Sequence, residues 1–177
     1  MIMIGFRHAD PRYPFLWEGA DQPAARWHAT GDGPAHYFSD TPDGAWAELL
    51  RHEEISDPDD LATIRRALWA VDLGEPPLAS PDLARDVLTG GRASHPACRA
   101  EASRLRRMGV RGLEAPSAAL VPGGARGWRV DGGLQPGESR DGRVFALFGR
   151  WPDLVGWRAT VAGRPGEELL AVVRPFA

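Results

Sequence analysis

The chain contains no lysine, so all 21 of its basic residues are arginine. A bias spread over the whole chain is typical of GC-rich coding and identifies no single binding site. It does matter for chemistry, because the planar guanidinium binds phosphates and carboxylates through two parallel hydrogen bonds, which a lysine cannot do. Any anion that this protein binds through basic side chains must therefore be bound by arginine or histidine.

Cysteine and long apolar runs are equally scarce. The one cysteine, Cys98, excludes an internal disulfide framework. Uninterrupted apolar runs reach only five residues, as in 169–173, whereas a membrane helix needs about 20. Residues 1–17 show no basic segment followed by an apolar one, so we expect no signal peptide and no membrane contact. The expected location is the cytoplasm.

Several functional motifs are also missing. The sequence contains no phosphate-binding P-loop, no dinucleotide-binding glycine fingerprint, no nucleophile elbow and no zinc-ligand spacing, so no metal site is predicted. A net charge of −3 excludes a generally basic nucleic-acid binder. With 177 residues, 43% hydrophobic and 25% charged, the composition favours a single globular domain spanning residues 1–177.

The clearest local pattern is a strand followed by a helix. Residues 35–39 (AHYFS) read as a short strand, after the turn signal in 31–34. Thr41 followed by Pro42 is typical of a helix start, and we expect this helix to end near Glu53. At 100° per residue its apolar side chains form one stripe, and Glu48 lies on the border of that stripe. A carboxylate at such a border is placed to be partly desolvated and to face a cleft.

The remaining pattern predicts short strands that do not alternate regularly with helices, which favours an α+β fold over a doubly wound sheet. Ser94 is predicted to cap a helix that Gly109 ends. Residues 1–33 read as irregular structure and 122–143 as a mobile Gly-rich loop. We expect strands within 64–73, 110–113, 144–148 and 169–174, and helices over 80–88 and 95–108.

Four short motifs in this order resemble the RES domain, a family named for its Arg, Glu and Ser. They are Arg26-Trp27, 37–41 (YFSDT), 45–48 (AWAE) and 116–118 (PSA), spread over about residues 12–121. The family's usual Gly before Arg-Trp and Asn after it are here Ala25 and His28. The resemblance implies an ADP-ribosyltransferase-like α+β fold, a mixed β core of short strands with flanking helices.

The resemblance also implies a function. RES domains are typically toxins of toxin–antitoxin pairs, neutralised by an Xre-type antitoxin, and they degrade NAD by cleaving its nicotinamide–ribose bond with water or phosphate as acceptor. NAD is then a substrate, and no separate cofactor is expected. Contact with nucleic acid is expected only through the antitoxin. The oligomeric state stays open.

Carried onto this sequence, the resemblance makes Glu48, Ser117 and Arg26 the catalytic residues, and Arg26, Tyr37 and Trp27 the substrate-binding residues. Nicotinamide leaves as a neutral molecule, so the reaction needs no general acid at the leaving group. It needs stabilisation of an oxocarbenium-like ribosyl cation, which a preoriented carboxylate such as Glu48 provides. Arg26 would hold the pyrophosphate or ribose, Tyr37 would contact the nicotinamide side, and Ser117 would orient ribose or carboxylate.

Two alternatives stay open at this point. One keeps the fold but transfers ADP-ribose to a protein target. The other is a non-catalytic or RNA-binding module that would use the arginines of the helix over 95–108 and Arg111. Most of the seven tryptophans are interpreted as core and lid packing residues, and none of them as a stacking surface.

Overall fold

A six-stranded antiparallel sheet forms the centre of the computed structural model, which describes residues 2–176. The strand order is β4-β7-β2-β1-β3-β8, and β5 pairs with β6 in a separate hairpin. The strands are β1 (Ile4–Ala9), β2 (Ala35–Ser39), β3 (Arg66–Asp72), β4 (Gly112–Pro116), β5 (Trp128–Val130), β6 (Leu134–Pro136), β7 (Arg143–Phe148) and β8 (Val155–Gly163).

Four α-helices and two 3-10 helices accompany the sheet within the described part of the chain. They are α1 (Pro42–His52), α2 (Pro58–Leu61), α3 (Arg85–Thr89) and α4 (His95–Arg107), with 3-10 turns at Arg92–Ser94 and Glu167–Val172. Antiparallel strands with helices gathered between them confirm the α+β prediction. No helix among residues 2–176 is long and apolar enough to cross a bilayer.

Helix α1 forms where the sequence predicted it, because its start signals are local. The Thr41 side chain accepts a hydrogen bond from the Gly44 amide, and Pro42 occupies the first turn. Leu49 and Leu50 are buried in a core cluster that also contains Leu68 and Leu120. The helix is thereby fixed against the sheet, and a residue on its border keeps one orientation.

Helix α4 is packed just as firmly. Cys98, Ala102 and Leu105 are buried on its inner face, in a cluster with Trp27 and Leu113. Gly109 ends the helix with a φ of 81°, a left-handed conformation that glycine adopts without a steric penalty. A third cluster, around Phe38 and Phe145, fills the opposite face of the sheet.

The sheet is divided at its centre. β1 pairs with β3 over six residues and β2 with β7 over five, but β1 and β2 meet at the single register pair Phe6–Ser39. The two middle strands therefore diverge beyond Phe6, and a cleft opens between them. Side chains from both strands face that cleft.

Several sequence predictions were wrong in detail. Residues 1–33 are not wholly irregular, since they contain β1, and residues 169–174 form a 3-10 turn with a tail instead of a strand. The stretch 122–143 contains the β5–β6 hairpin, and the β8 edge strand was not predicted. The helix expected over 80–88 is the shorter α3.

Ser94 is also not the predicted cap. Its side chain makes no capping hydrogen bond to α4, because the hydroxyl donates to the Gly91 carbonyl. That hydroxyl also accepts from Arg26, which gives this serine a role at the cleft.

Candidate functional site

The cleft between β1 and β2 opens into a cavity of about 750 Å³. This volume is in the range of small-molecule and cofactor sites. Its walls come from β1 and β2, from the segments around Tyr13 and Arg26, and from one side of α1 and the first turns of α4. Four of the five predicted site residues, Glu48, Arg26, Tyr37 and Trp27, line this cavity together.

Glu48 projects from α1 into the cavity wall. Burial raises the pKa of its carboxyl above the ordinary range, while the positive charges of Arg51 and Arg26 oppose that shift. The carboxylate is thus partly stripped of water but faces two guanidinium groups. This is the desolvated border position that the helical periodicity predicted.

Arg26 and Arg51 are held by the same acceptor. The Gly90 carbonyl accepts from Arg26 Nη2 at 2.6 Å and from Arg51 Nη2 at 3.0 Å. Arg26 Nη1 also donates to the Ser94 hydroxyl at 2.9 Å. Burial and the nearby Arg26 lower the pKa of Arg51 to about 10. Two cations fixed this closely need a compensating anion, and Glu48 supplies only one charge.

Tyr37 connects the Arg26 segment to strand β2. Its hydroxyl accepts from the Trp27 backbone N–H at 3.0 Å and lies 2.8 Å from Nδ1 of His28. Burial raises the pKa of the phenol, so it stays protonated. His28, which stands where the family usually has Asn, therefore bonds to Tyr37 and helps to set the path of the chain past Arg26. Trp27 itself is almost fully buried.

Ser117 lies next to the cavity and not in its wall. Among the described residues, it is the neighbouring Ala118 that lines the cavity. The buried Ser117 hydroxyl accepts the N–H groups of Ala119 and Leu120, both at 3.2 Å. This geometry is that of a turn-capping residue, and direct contact of Ser117 with substrate stays a prediction.

A second basic group, missed by the sequence reasoning, lies on β1 and β3. Arg66 Nη2 lies 3.2 Å from Nδ1 of His8. Burial, and then the positive charge of Arg66, lowers the pKa of the neighbouring Arg7 to about 10. Burial, then the charges of Arg66 and Arg7, lowers the pKa of His8 to about 3. Arg7 Nη1 is buried without a hydrogen-bond partner among the described residues. No local motif marks these side chains, since β1 and β3 meet only in the folded sheet.

The cavity is strongly cationic although the protein is acidic. Among the described residues that line it, only Asp10 and Glu48 carry a carboxylate, and Asp10 is already paired with Arg12. The same described lining contains six arginines: Arg7, Arg26, Arg51, Arg66, Arg92 and Arg99. A low-dielectric hollow concentrates this positive potential. The site is therefore suited to a ligand with more than one negative charge.

The arginines proposed for an RNA-binding face are mostly committed to contacts within the protein. Arg106 donates to the Trp27 carbonyl and Asp32, and Arg104 pairs with Glu101. Arg111 donates to the Arg150 carbonyl. Of the arginines proposed for RNA binding, the exposed Arg107 alone has no hydrogen bond or ion pair among the described residues, so helix α4 offers no row of free guanidinium groups. No metal-binding cluster of His, Cys, Asp or Glu occurs among residues 2–176.

Comparison with known proteins agrees with the motifs and the geometry. The RES domain family model matches residues 4–128, which is well over half of the chain, and the chain belongs to this family. Among solved structures, the fold resembles a chain of the M. tuberculosis MbcT-MbcA toxin-antitoxin complex. That likeness has a TM-score of 0.61 and 14% identity, and it covers 91% of this chain and 86% of the other. A search of curated proteins found no match.

Proposed function

We propose that this RES-domain protein is an NAD-consuming enzyme that cleaves the bond between nicotinamide and ribose. The observation that carries the proposal is one cavity in which a carboxylate, Glu48, lies among an excess of fixed guanidinium groups. A pyrophosphate-bridged dinucleotide has the complementary pattern, because it combines two negative phosphates with a ribose that becomes cationic as the bond breaks.

The reaction follows from that pairing. When the C1′–N bond breaks, its electron pair stays on the nicotinamide nitrogen, and positive charge develops on the ribosyl ring. Glu48 stabilises that charge, while Arg26 and Arg51 bind the phosphates. The oxygen of water then bonds to C1′ and loses a proton to solvent, or an anionic oxygen of inorganic phosphate bonds to C1′ without loss of a proton. The products are nicotinamide with ADP-ribose, or with its 1″-phosphate.

We further propose that the protein acts as a cytoplasmic toxin that lowers the NAD pool and arrests growth until an antitoxin binds. Family membership supports this proposal, as does the fold shared with a chain of a toxin-antitoxin complex. An Xre-type protein that blocks the cavity is the expected partner.

The test is incubation of the purified protein with NAD, with and without phosphate, followed by product analysis. Free nicotinamide with ADP-ribose indicates a hydrolase, and phosphate-dependent formation of the 1″-phosphate indicates a phosphorylase. ADP-ribose attached to an added protein would indicate a transferase instead. An unchanged NAD pool under all conditions would refute the proposal.

A further inference from the structure

Two exposed aromatic rings lie at the cationic cavity. Tyr13 and Trp17 both line it, with 55% and 54% of their surface open to solvent. The two other largely exposed aromatic side chains, Trp128 and Trp157, are not among the described residues that line the cavity. Exposed aromatic surface that borders a charged cavity is a recurrent feature of ligand sites.

The segment that carries Trp17 is firmly anchored. The buried Gln22 side chain donates to the Trp17 carbonyl and accepts the Ala35 amide at the start of β2. Glu18 accepts the Trp151 amide at 2.6 Å. A Cβ added at Gly19 would collide with the Trp17 indole, so the ring lies directly against this glycine. The ring is thus exposed on an ordered backbone, which lowers the entropy that a ligand must overcome to stack on it.

The two aromatic residues come after the second basic group in the chain. Tyr13 lies on the segment that leaves β1, the strand that carries Arg7 and His8. Glu48 and Arg51 lie on α1, and the Arg26 side chain reaches across to the Gly90 carbonyl and the Ser94 hydroxyl in the chain before α4. The cavity therefore combines a carboxylate with one set of cations, a second set of cations, and a pair of aromatic rings.

We propose that Tyr13 and Trp17 form a stacking subsite for the purine ring of the dinucleotide, with the ribose that reacts placed at Glu48. This inference rests on the proposed function and adds specificity to it. Base stacking on an aromatic side chain contributes about 1–3 kcal/mol by alanine substitution, or roughly 5- to 150-fold in affinity. A purine-bearing substrate would be preferred over one that ends at the nicotinamide ribose phosphate.

The experiment measures binding of ADP-ribose and of nicotinamide mononucleotide by calorimetry, and KM and kcat for NAD. We expect Trp17→Ala to weaken ADP-ribose binding and raise KM for NAD by roughly tenfold. Its kcat and its affinity for nicotinamide mononucleotide, which lacks the purine, should be unchanged. Trp17→Phe should restore most of the loss. Gly19→Ala, which displaces the indole without removing it, should behave like Trp17→Ala.

Trp157→Ala is the matched control, since that ring is 56% exposed on β8 away from the cavity wall. The stacking subsite would be overturned if Trp17→Ala lost affinity equally for nicotinamide mononucleotide and for ADP-ribose, or if its KM for NAD were unchanged. A wild-type protein that binds ADP-ribose in a Trp17-dependent way but never cleaves NAD would refute the proposed function and leave the subsite standing. Failure of the wild-type protein to bind ADP-ribose would overturn the stacking subsite, whereas the proposed function is decided by whether NAD is cleaved.

Discussion

Substitution of Glu48 by Gln removes the charge at the centre of the proposed chemistry and keeps the shape of the side chain. A carboxylate about 4 Å from a ribosyl cation, at an effective dielectric near 20, stabilises it by about 4 kcal/mol. That corresponds to a loss of about a thousandfold in kcat. The assay is nicotinamide release under saturating NAD.

The fold of this variant should be unaffected. Because burial raises the pKa of Glu48, the proton binds more tightly in the folded state than in the unfolded state. Ionised Glu48 therefore costs stability above that pKa, and the cost disappears as the pH falls below the unfolded value. At pH 7 we expect Glu48→Gln to melt at the same temperature as the wild type or slightly higher.

Glu53→Gln is the control, because that carboxylate lies five residues further along the chain, just after the end of α1, and is exposed. It should retain wild-type kcat. If Glu48→Gln kept more than about a tenth of the wild-type kcat, electrostatic stabilisation by this residue would be disproved.

Three more outcomes follow from the same site. Arg51→Met removes the positive charge that does most to lower the pKa of Glu48, so this pKa should rise further. The acid limb of the pH profile of kcat/KM should then move to higher pH, and an unmoved limb would mean that another group titrates. Tyr37→Phe removes the acceptor of a backbone N–H and the bond to His28, and urea unfolding should show a loss of about 1–3 kcal/mol; no loss would mean that water replaces the hydroxyl. Ser117→Ala leaves two buried amides unpaired, and the same measurement should show a loss of about 1–2 kcal/mol. The catalytic role predicted from the sequence requires that kcat falls as well, whereas an unchanged kcat would limit Ser117 to capping the turn.

Residues whose structure depends on near neighbours could be predicted from the sequence. Thr41 and Pro42 start α1, and Gly109 ends α4, because capping and left-handed glycine are local effects. The position of Glu48 on the border of α1 follows from helical periodicity alone. The run 169–173 shows the limit of such reasoning, since five apolar residues suit a strand equally well. Residues 169–172 instead lie in a 3-10 turn with Leu169 in the same core cluster as Leu120, and Val173 pairs with Leu120 as an isolated bridge.

Local residue patterns account for the helix that presents Glu48, for the arginine-only basic set and for the Arg26 and Glu48 motifs on which the proposed chemistry depends. The long-range contacts of the fold bring Arg26, Tyr37 and Glu48 to one cavity. The cleft exists because β1 and β2 diverge after Phe6, and Arg7 meets Arg66 only because β1 pairs with β3. The pairing of β1 with β2 and with β3 joins residues that are far apart in the chain. This pairing depends on burial of the whole sheet, and no local pattern of residues encodes it.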